Sequence, residues 1–441
     1  MLDLNCSTMI KQILKLLAIL VAVFALAVSC EKPGEENSNG NKEQTDNKDD
    51  EIPKTSCEIY YTTSDGSIVT INNPASFGAM IVSNTNLNGK GVVRFDNPPT
   101  VIPKEAFKNC SELTSVVIPV GVKKIDDEAF KGIYKLSEVV LPSGLESIGH
   151  HAFKSTSIVE IKIPSSVKEI GVSAFAYTDL KEVTIPNGVE KIRSLTFWEC
   201  YDLTKVTLPE TLKEIENGAF QESGIKEINI PSGVTKIADR TFYWCDDLAK
   251  VIMPNTITEI GETAFYGCDA LVNVNLPTSL TKIGTEAFAR SALTEIVIPS
   301  SVTEIGASAF NYCKFLKKVQ LSSSMTCIES KTFQDCEALK TVVIPSSVKT
   351  IGYKAFDGCR LTRIEIGEGI ESIGVGAFDY SSDTDPNTCV YIKAVVPPQL
   401  DGDPFSWLPT WYVPKGSVDA YRNSFRKYYY EWVDAIIVGY Y

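Results

Sequence analysis

The sequence predicts a repeat solenoid, mostly β, with a short strand in each turn and a non-repeating cap at both ends. Three observations carry this. First, Ala-Phe or a close variant returns from Phe107 to Phe378 in thirteen copies, and every step is 22 or 23 residues. Units of that length bury their apolar side only by stacking on their neighbours. Second, each copy holds a stretch that alternates apolar and polar residues, as in LKEVTIP at 180–186 and LVNVNLP at 271–277. Alternation with β-branched residues reads as a strand with one buried face, and the closing Pro cannot donate to a ladder. Third, the step from that Pro slot to the next Phe is always 11 residues, so length varies only just after Phe.

The elements follow in chain order. Lys11 and Lys15 precede an apolar run from Leu16 to Val28, which ends at Ala27-Val28-Ser29-Cys30. A charged start, an apolar run and small residues make residues 1–29 an expected secretory signal peptide. The run is short for a spanning helix, which needs about 20 apolar residues. The Cys directly after the small residues resembles the bacterial lipobox. That resemblance implies lipid attachment at Cys30, an outer-membrane lipoprotein and, in the expected case, exposure at the cell surface. Residues 30–56 form an acidic tether, since 31–54 hold almost no apolar side chain and cannot bury enough surface to fold. Glu31, Glu35 and Glu36 resemble the surface-export signal of Bacteroidetes lipoproteins. Residues 57–100 leave the repeat and read as short strands with turns: CEIYYTT, then Ser64-Asp65-Gly66, then SIVTI. They are expected to cap the open face and open edge of the first rung.

Residues 101–380 are the repeats. Their general form is Leu-x-x-Val-x-Ile-Pro, then x-x-Val-x-x-Ile-Gly, then x-x-Ala-Phe-x-x-Cys, as in VIMPNTITEIGETAFYGCDAL at 251–271. This pattern resembles the BspA-like leucine-rich repeat of Bacteroidetes surface lipoproteins. The resemblance implies a curved solenoid with one strand per repeat in a parallel sheet. It also implies a non-catalytic role in adhesion to host proteins or to other cells. Adjacent strands would sit about 4.8 Å apart, so identical positions would form ladders of Phe, Ile and, in part, Cys. Residues 381–441 depart again, and GSVDAY at 416–421 resembles the closing segment of this family, with Ser417 as the expected N-cap of a helix. They are read as the C-terminal cap.

A net charge of −13 argues against nucleic acid, which would want a basic stripe. Seven of the 12 cysteines occupy one repeat slot: Cys110, Cys200, Cys245, Cys268, Cys313, Cys336 and Cys359. There a free thiol behaves as a small buried hydrophobe, although adjacent rungs are also near enough for a bridge. No paired CxxC pattern for zinc occurs, and no metal or cofactor is expected. No GxSxG, HExxH or P-loop pattern occurs either. His150 and His151 read as exposed turn residues, because a catalytic base needs a positioned partner. Asp383, Asp385 and Asn387 open like a calcium loop, but Thr388 and Ala394 stand where glycine and glutamate are required.

Two surfaces remain as binding candidates. The outward strand positions include Glu138, Glu160 and Glu182 on successive rungs, a row of carboxylates for a basic partner or simply a solvated face. The two positions after the ladder Phe are aromatic in the middle repeats: Tyr177, Trp198, Tyr243, Trp244, Tyr266 and Tyr312. Such rings either cover the edge of the core or bind a ligand. The expected partners are host or bacterial surface proteins, with glycans as the alternative.

Overall fold

The computed structural model describes residues 56–379, 388–406 and 408–440. Cys30, the signal peptide, nearly all of the tether and the Asp383–Asn387 loop lie outside the described residues. The repeats wind into a parallel β-solenoid of about 14 turns.

Each turn is hydrogen-bonded to the next on three sides. The first side is the alternating segment. Glu182–Thr184 pairs in parallel with Lys205–Thr207, which places Val183 beside Val206 on the buried face. The second side is a two-residue strand that the sequence reading of one strand per repeat missed. Lys191–Ile192 pairs with Glu214–Ile215, and Lys236–Ile237, Glu259–Ile260, Lys282–Ile283 and Glu304–Ile305 continue the same geometry. Two residues are too few to display an alternation, so periodicity cannot reveal this strand.

The third side is the turn around the ladder Phe. Residues two before and two after it adopt the left-handed region, as Ser173 (φ 52°) and Tyr177 (φ 58°) do around Phe175. Those conformations aim alternate N–H groups along the solenoid. Ser173, Phe175 and Tyr177 donate to the carbonyls of Ser194, Thr196 and Trp198 at 3.0, 3.0 and 2.8 Å. The turn is therefore a ladder without being a strand. The Ile-Gly step explains itself at Gly171, where an added Cβ would lie 2.5 Å from the carbonyl carbon of Gly149 on the preceding rung.

The core is a continuous column. The ladder phenylalanines are almost wholly buried and stack nearly parallel with centroids 5.0–5.8 Å apart. Three residues past Phe, a thiol or hydroxyl bonds a Phe carbonyl in many turns. Cys200 donates to Phe175 O at 3.1 Å and Cys313 to Phe288 O at 3.1 Å, whereas Thr156 and Thr178 donate to the Phe carbonyl of their own turn at 2.9 and 2.8 Å. These two packing solutions go with most of the longer and shorter repeats; Cys359, which donates to Phe333 O at 3.1 Å, sits in a shorter one. The described cysteines are all free thiols.

The first rung is covered by an antiparallel unit of β1 (Glu58–Thr63), β2 (Ile81–Leu87) and β3 (Lys90–Phe95), in the order β2-β3-β1. β1 then pairs antiparallel with Leu113–Val117 of the first rung. At the other end the ladder runs past residue 380, where the sequence reading closed the repeats. Cys389–Ile392 pairs in register with Arg363–Ile366, and Phe405 stacks on Phe378 at 5.2 Å. An insertion between the two rings stretches the spacing and hides this last rung from the period. The helix α1 (Val418–Tyr429) then lays Tyr421, Phe425 and Tyr429 inward, with Phe425 edge-on to Trp411 at 5.1 Å. Ser417 precedes the helix as expected, but its side chain makes no capping bond.

Candidate functional site

The aromatic candidates all lie along the Phe turn, and the ladder register decides which of them meet. The residue two past one Phe donates its N–H to the residue one past the next, so those side chains are neighbours. Tyr177 meets Trp198 edge-on at 4.7 Å, and Trp244 meets Tyr266 at 5.6 Å. Tyr243 stacks on Tyr266 at 5.2 Å. Tyr312 stands apart from these, beneath the Arg290 guanidinium at 5.1 Å. The six residues thus form two clusters and one isolated ring.

Their exposure differs. Tyr177 and Tyr312 are 36% and 41% exposed, while Trp198, Tyr243, Trp244 and Tyr266 are half-buried. Trp244 also lies over Gly267, where an added Cβ would fall 2.5 Å from the indole. The indole N–H of Trp198 is buried and has no acceptor among the described residues. The tryptophans therefore cover the core edge as well as lining the surface.

Two clefts open along this edge. One, of about 640 Å³, lies among Tyr134, Lys154, Tyr177, Asp179, Glu199 and Tyr201. The other, of about 660 Å³, lies among Tyr201, Glu222, Tyr243, Trp244, Asp246 and Asp247. Tyr201 belongs to both. Tyr134 and Tyr201, 73% and 63% exposed, were missed by the sequence reading because they fall four residues past Phe, beyond the positions it considered. The Asp pair after Cys245 is a sequence signal for this edge that the sequence reading does not use.

The electrostatics of the clefts follow from the acids. The Tyr201 hydroxyl donates to Glu199 at 2.8 Å. Burial first, then that carboxylate, pushes its phenol up to about 12 and raises Tyr177 further. Burial, then Asp269, Asp247 and Glu222, raises the Asp246 carboxyl. Burial, then Lys131, lowers the Lys154 ammonium, whose Nζ lies 5.2 and 5.1 Å over the rings of Tyr177 and Trp198.

The charged strand face is different in kind. Glu160 pairs directly with Glu182, so the carboxylate row exists. It soon alternates, however: Glu182, Lys205, Glu227 and Lys250 are register neighbours, with Lys–Glu distances of 3.8 Å for the Glu182 and Glu227 pairs. Exposed pairs of this type are worth about 0–1 kcal/mol each. His150 is exposed and uses Nδ1 to accept the Val172 N–H at 2.9 Å, while His151 is half-buried. Both serve the turn ladder. Among the described residues no group of His, Cys, Asp and Glu could hold a metal ion.

A parallel β-solenoid with a Phe column, an Ile-Gly step and a thiol slot is a leucine-rich repeat architecture. The chain belongs to the BspA type leucine-rich repeat family, which it matches over residues 100–223, 190–317 and 309–389. A leucine-rich repeat protein from Bacteroides ovatus ATCC 8483 is 26% identical, with a TM-score of 0.65 over 88% of this chain and 100% of that one. A leucine rich cell surface protein from Faecalibacterium prausnitzii A2-165 is 27% identical over 67% of this chain and 82% of that one, at a TM-score of 0.43. The pneumococcal vaccine antigen PcpA is 19% identical over 81% and 86%, at a TM-score of 0.46. No curated protein matches. The family and the similar structures are repeat proteins and bring no enzymatic domain with them.

Proposed function

We propose that this chain is a non-catalytic binding protein of a bacterial cell surface, anchored through lipid on Cys30, that recognises other proteins along the turn edge of its solenoid. The observation that supports this most is the pair of clefts around Tyr201, lined by aromatic rings from several rungs. Tyr and Trp dominate hot spots in protein interfaces, and rings held on a hydrogen-bonded ladder lose little freedom on binding. The family membership and the Bacteroides ovatus relative agree with a role in adhesion. The glycan alternative rests on the same rings, which also suit sugar faces.

Two experiments test the reading. A panel of host-matrix and bacterial surface proteins, run beside a glycan array on the chain without residues 1–29, should give protein ligands whose binding weakens with Tyr201→Ala. Glycan hits alone would favour the alternative. For the anchor, Cys30→Ala should release the protein from the membrane fraction. Retention of that variant through an alkaline wash would rule out the lipid.

A further inference from the structure

We propose that the trough running from Tyr134 to Asp247 takes a cationic polypeptide segment, with lysine and arginine side chains laid against Tyr177, Tyr201, Tyr243 and Trp244 and paired with the carboxylates between them. The proposal rests on the turn edge being the binding surface and adds the chemistry of the partner.

Charge complementarity selects that occupant. Asp179, Asp202, Glu222, Asp246 and Asp247 line the trough and form no ion pair among the described residues, and neither does Glu199. Elsewhere on the solenoid the pattern is opposite. Lys191–Glu214, Lys213–Glu190 and Lys236–Glu259 join consecutive rungs at 2.6, 2.7 and 3.1 Å. The fold thus pairs many carboxylates across rungs, whereas these six gather in the trough without an ion pair, and Lys154 is the cation that lines it. An anionic partner would meet an excess of like charge there. A metal ion does not fit either, since no three of these groups converge.

Lys154 displays the geometry that a ligand would adopt. Its ammonium lies over Tyr177 and Trp198 at 5.2 and 5.1 Å, inside the range of a cation–π contact. Further along, Tyr243 and Trp244 have carboxylates beside them and no lysine or arginine among the described residues of their cleft, and Tyr201 stands between that cleft and the one that holds Lys154. The length argues for a chain and not a small cation. The ladder rings of these rungs are 5.3–5.8 Å apart, so the trough extends over roughly 28 Å, the length of about eight extended residues.

The test uses a synthetic oligo-lysine peptide, an oligo-arginine peptide, an oligo-glutamate peptide and a neutral oligosaccharide set, titrated at physiological salt. Because the whole chain is acidic, the decisive comparison is between variants of equal charge. Asp202→Asn with Asp247→Asn, and separately Tyr201→Ala with Tyr243→Ala, should each weaken the cationic peptides about tenfold or more. Glu138→Gln with Glu160→Gln, on the strand face, should change them less than about twofold. Melting curves of the amide variants should stay close to the parent, since Asp→Asn keeps shape. Tyr243 is half-buried against Tyr266, so the ring pair is read beside Tyr201→Ala alone. Tyr201 is mostly exposed, so that variant should melt like the parent and should still weaken the peptides. Equal losses in the trough and strand-face variants would mean diffuse attraction and would overturn the proposal. Oligosaccharide binding that needs Tyr201, without ring-dependent peptide binding, would overturn the cationic partner and keep the turn edge. Binding of protein ligands that no trough variant disturbs would overturn both.

Discussion

A single position shows how this backbone is built. Lys331 sits two residues before Phe333 with φ 60°, exposed to solvent and in no ion pair among the described residues. A side chain in that region costs about 1–2 kcal/mol that glycine avoids, while glycine loses more chain entropy on folding. Gly218 and Gly376 occupy the equivalent place in their own turns. Lys331→Gly should therefore be neutral or stabilise by up to about 1 kcal/mol, and Lys331→Val should destabilise by more than that. Denaturant melts of the two variants check the sign. The buried thiols give a second test. Burial pushes the Cys200 thiol from about 9 up to about 11. The folded state then holds this proton more tightly than the unfolded chain, so its contribution is complete below about 9 and is lost as pH rises towards about 11. Cys200→Ser offers a hydroxyl in the slot where Ser223 and Ser291 serve other turns, and it does not titrate in this range. The loss of stability between about pH 8 and pH 10.5 should be smaller in Cys200→Ser than in the parent. An equal loss would mean that the slot is open to water.

At the scale of the rung, the column of phenylalanines is the feature most legible in the sequence, because a large apolar residue returning at a fixed step is buried by stacking on its own copies. Phe265 shows its weight: it lies between Phe242 and Phe288, with centroids at 5.3 and 5.1 Å, and is fully buried. Phe265→Ala should cost about 3–5 kcal/mol through lost contacts and a cavity. Coupling runs between neighbours, so hydrogen exchange should quicken at Phe242 and Phe288 well before Phe107. Uniform acceleration along the chain would contradict this. What the sequence concealed was shorter than a period or came from stacking. The two-residue strand at Glu214–Ile215 carries too few residues to alternate. The left-handed turn positions hold Glu as often as Gly, and Ser, Lys, Tyr and Trp besides, so residue type does not mark them. The grouping of Tyr177 with Trp198 depends on a turn-to-turn register that no single repeat contains. Tyr134 and Tyr201 reach the edge from further along the chain than the two positions that follow Phe.

Over the whole molecule, the ends were less legible than the middle, since an end is defined by what it covers and not by a period. Phe405 belongs to the column although it breaks the spacing, and α1 closes the last rung with aromatic residues. Between the ends, the turn is the unit of folding, and removing one should leave a shorter version of the same object. Thr263 and Glu286 hold equivalent left-handed positions, with φ of 50° and 54°, two residues before Phe265 and Phe288. Deleting residues 263–285 therefore joins Glu262 to Glu286 with every later position still in phase. Phe242 would stack directly on Phe288, and Lys250 would face Glu295 across the strand ladder. The cost is the exposed Lys282–Glu304 pair at 3.8 Å and a new Glu259–Glu304 juxtaposition, each small. Deleting residues 263–273 instead removes Phe265, Cys268 and Leu271 and sets a strand against a turn. The first variant should keep the far-ultraviolet circular dichroism of the parent per residue and a single cooperative melt lowered by a few degrees. The second should lose cooperativity around the junction, although it removes fewer residues. If the shorter deletion proves the more stable of the two, the rung is not the unit that carries stability, and the nearest-neighbour account of this solenoid fails.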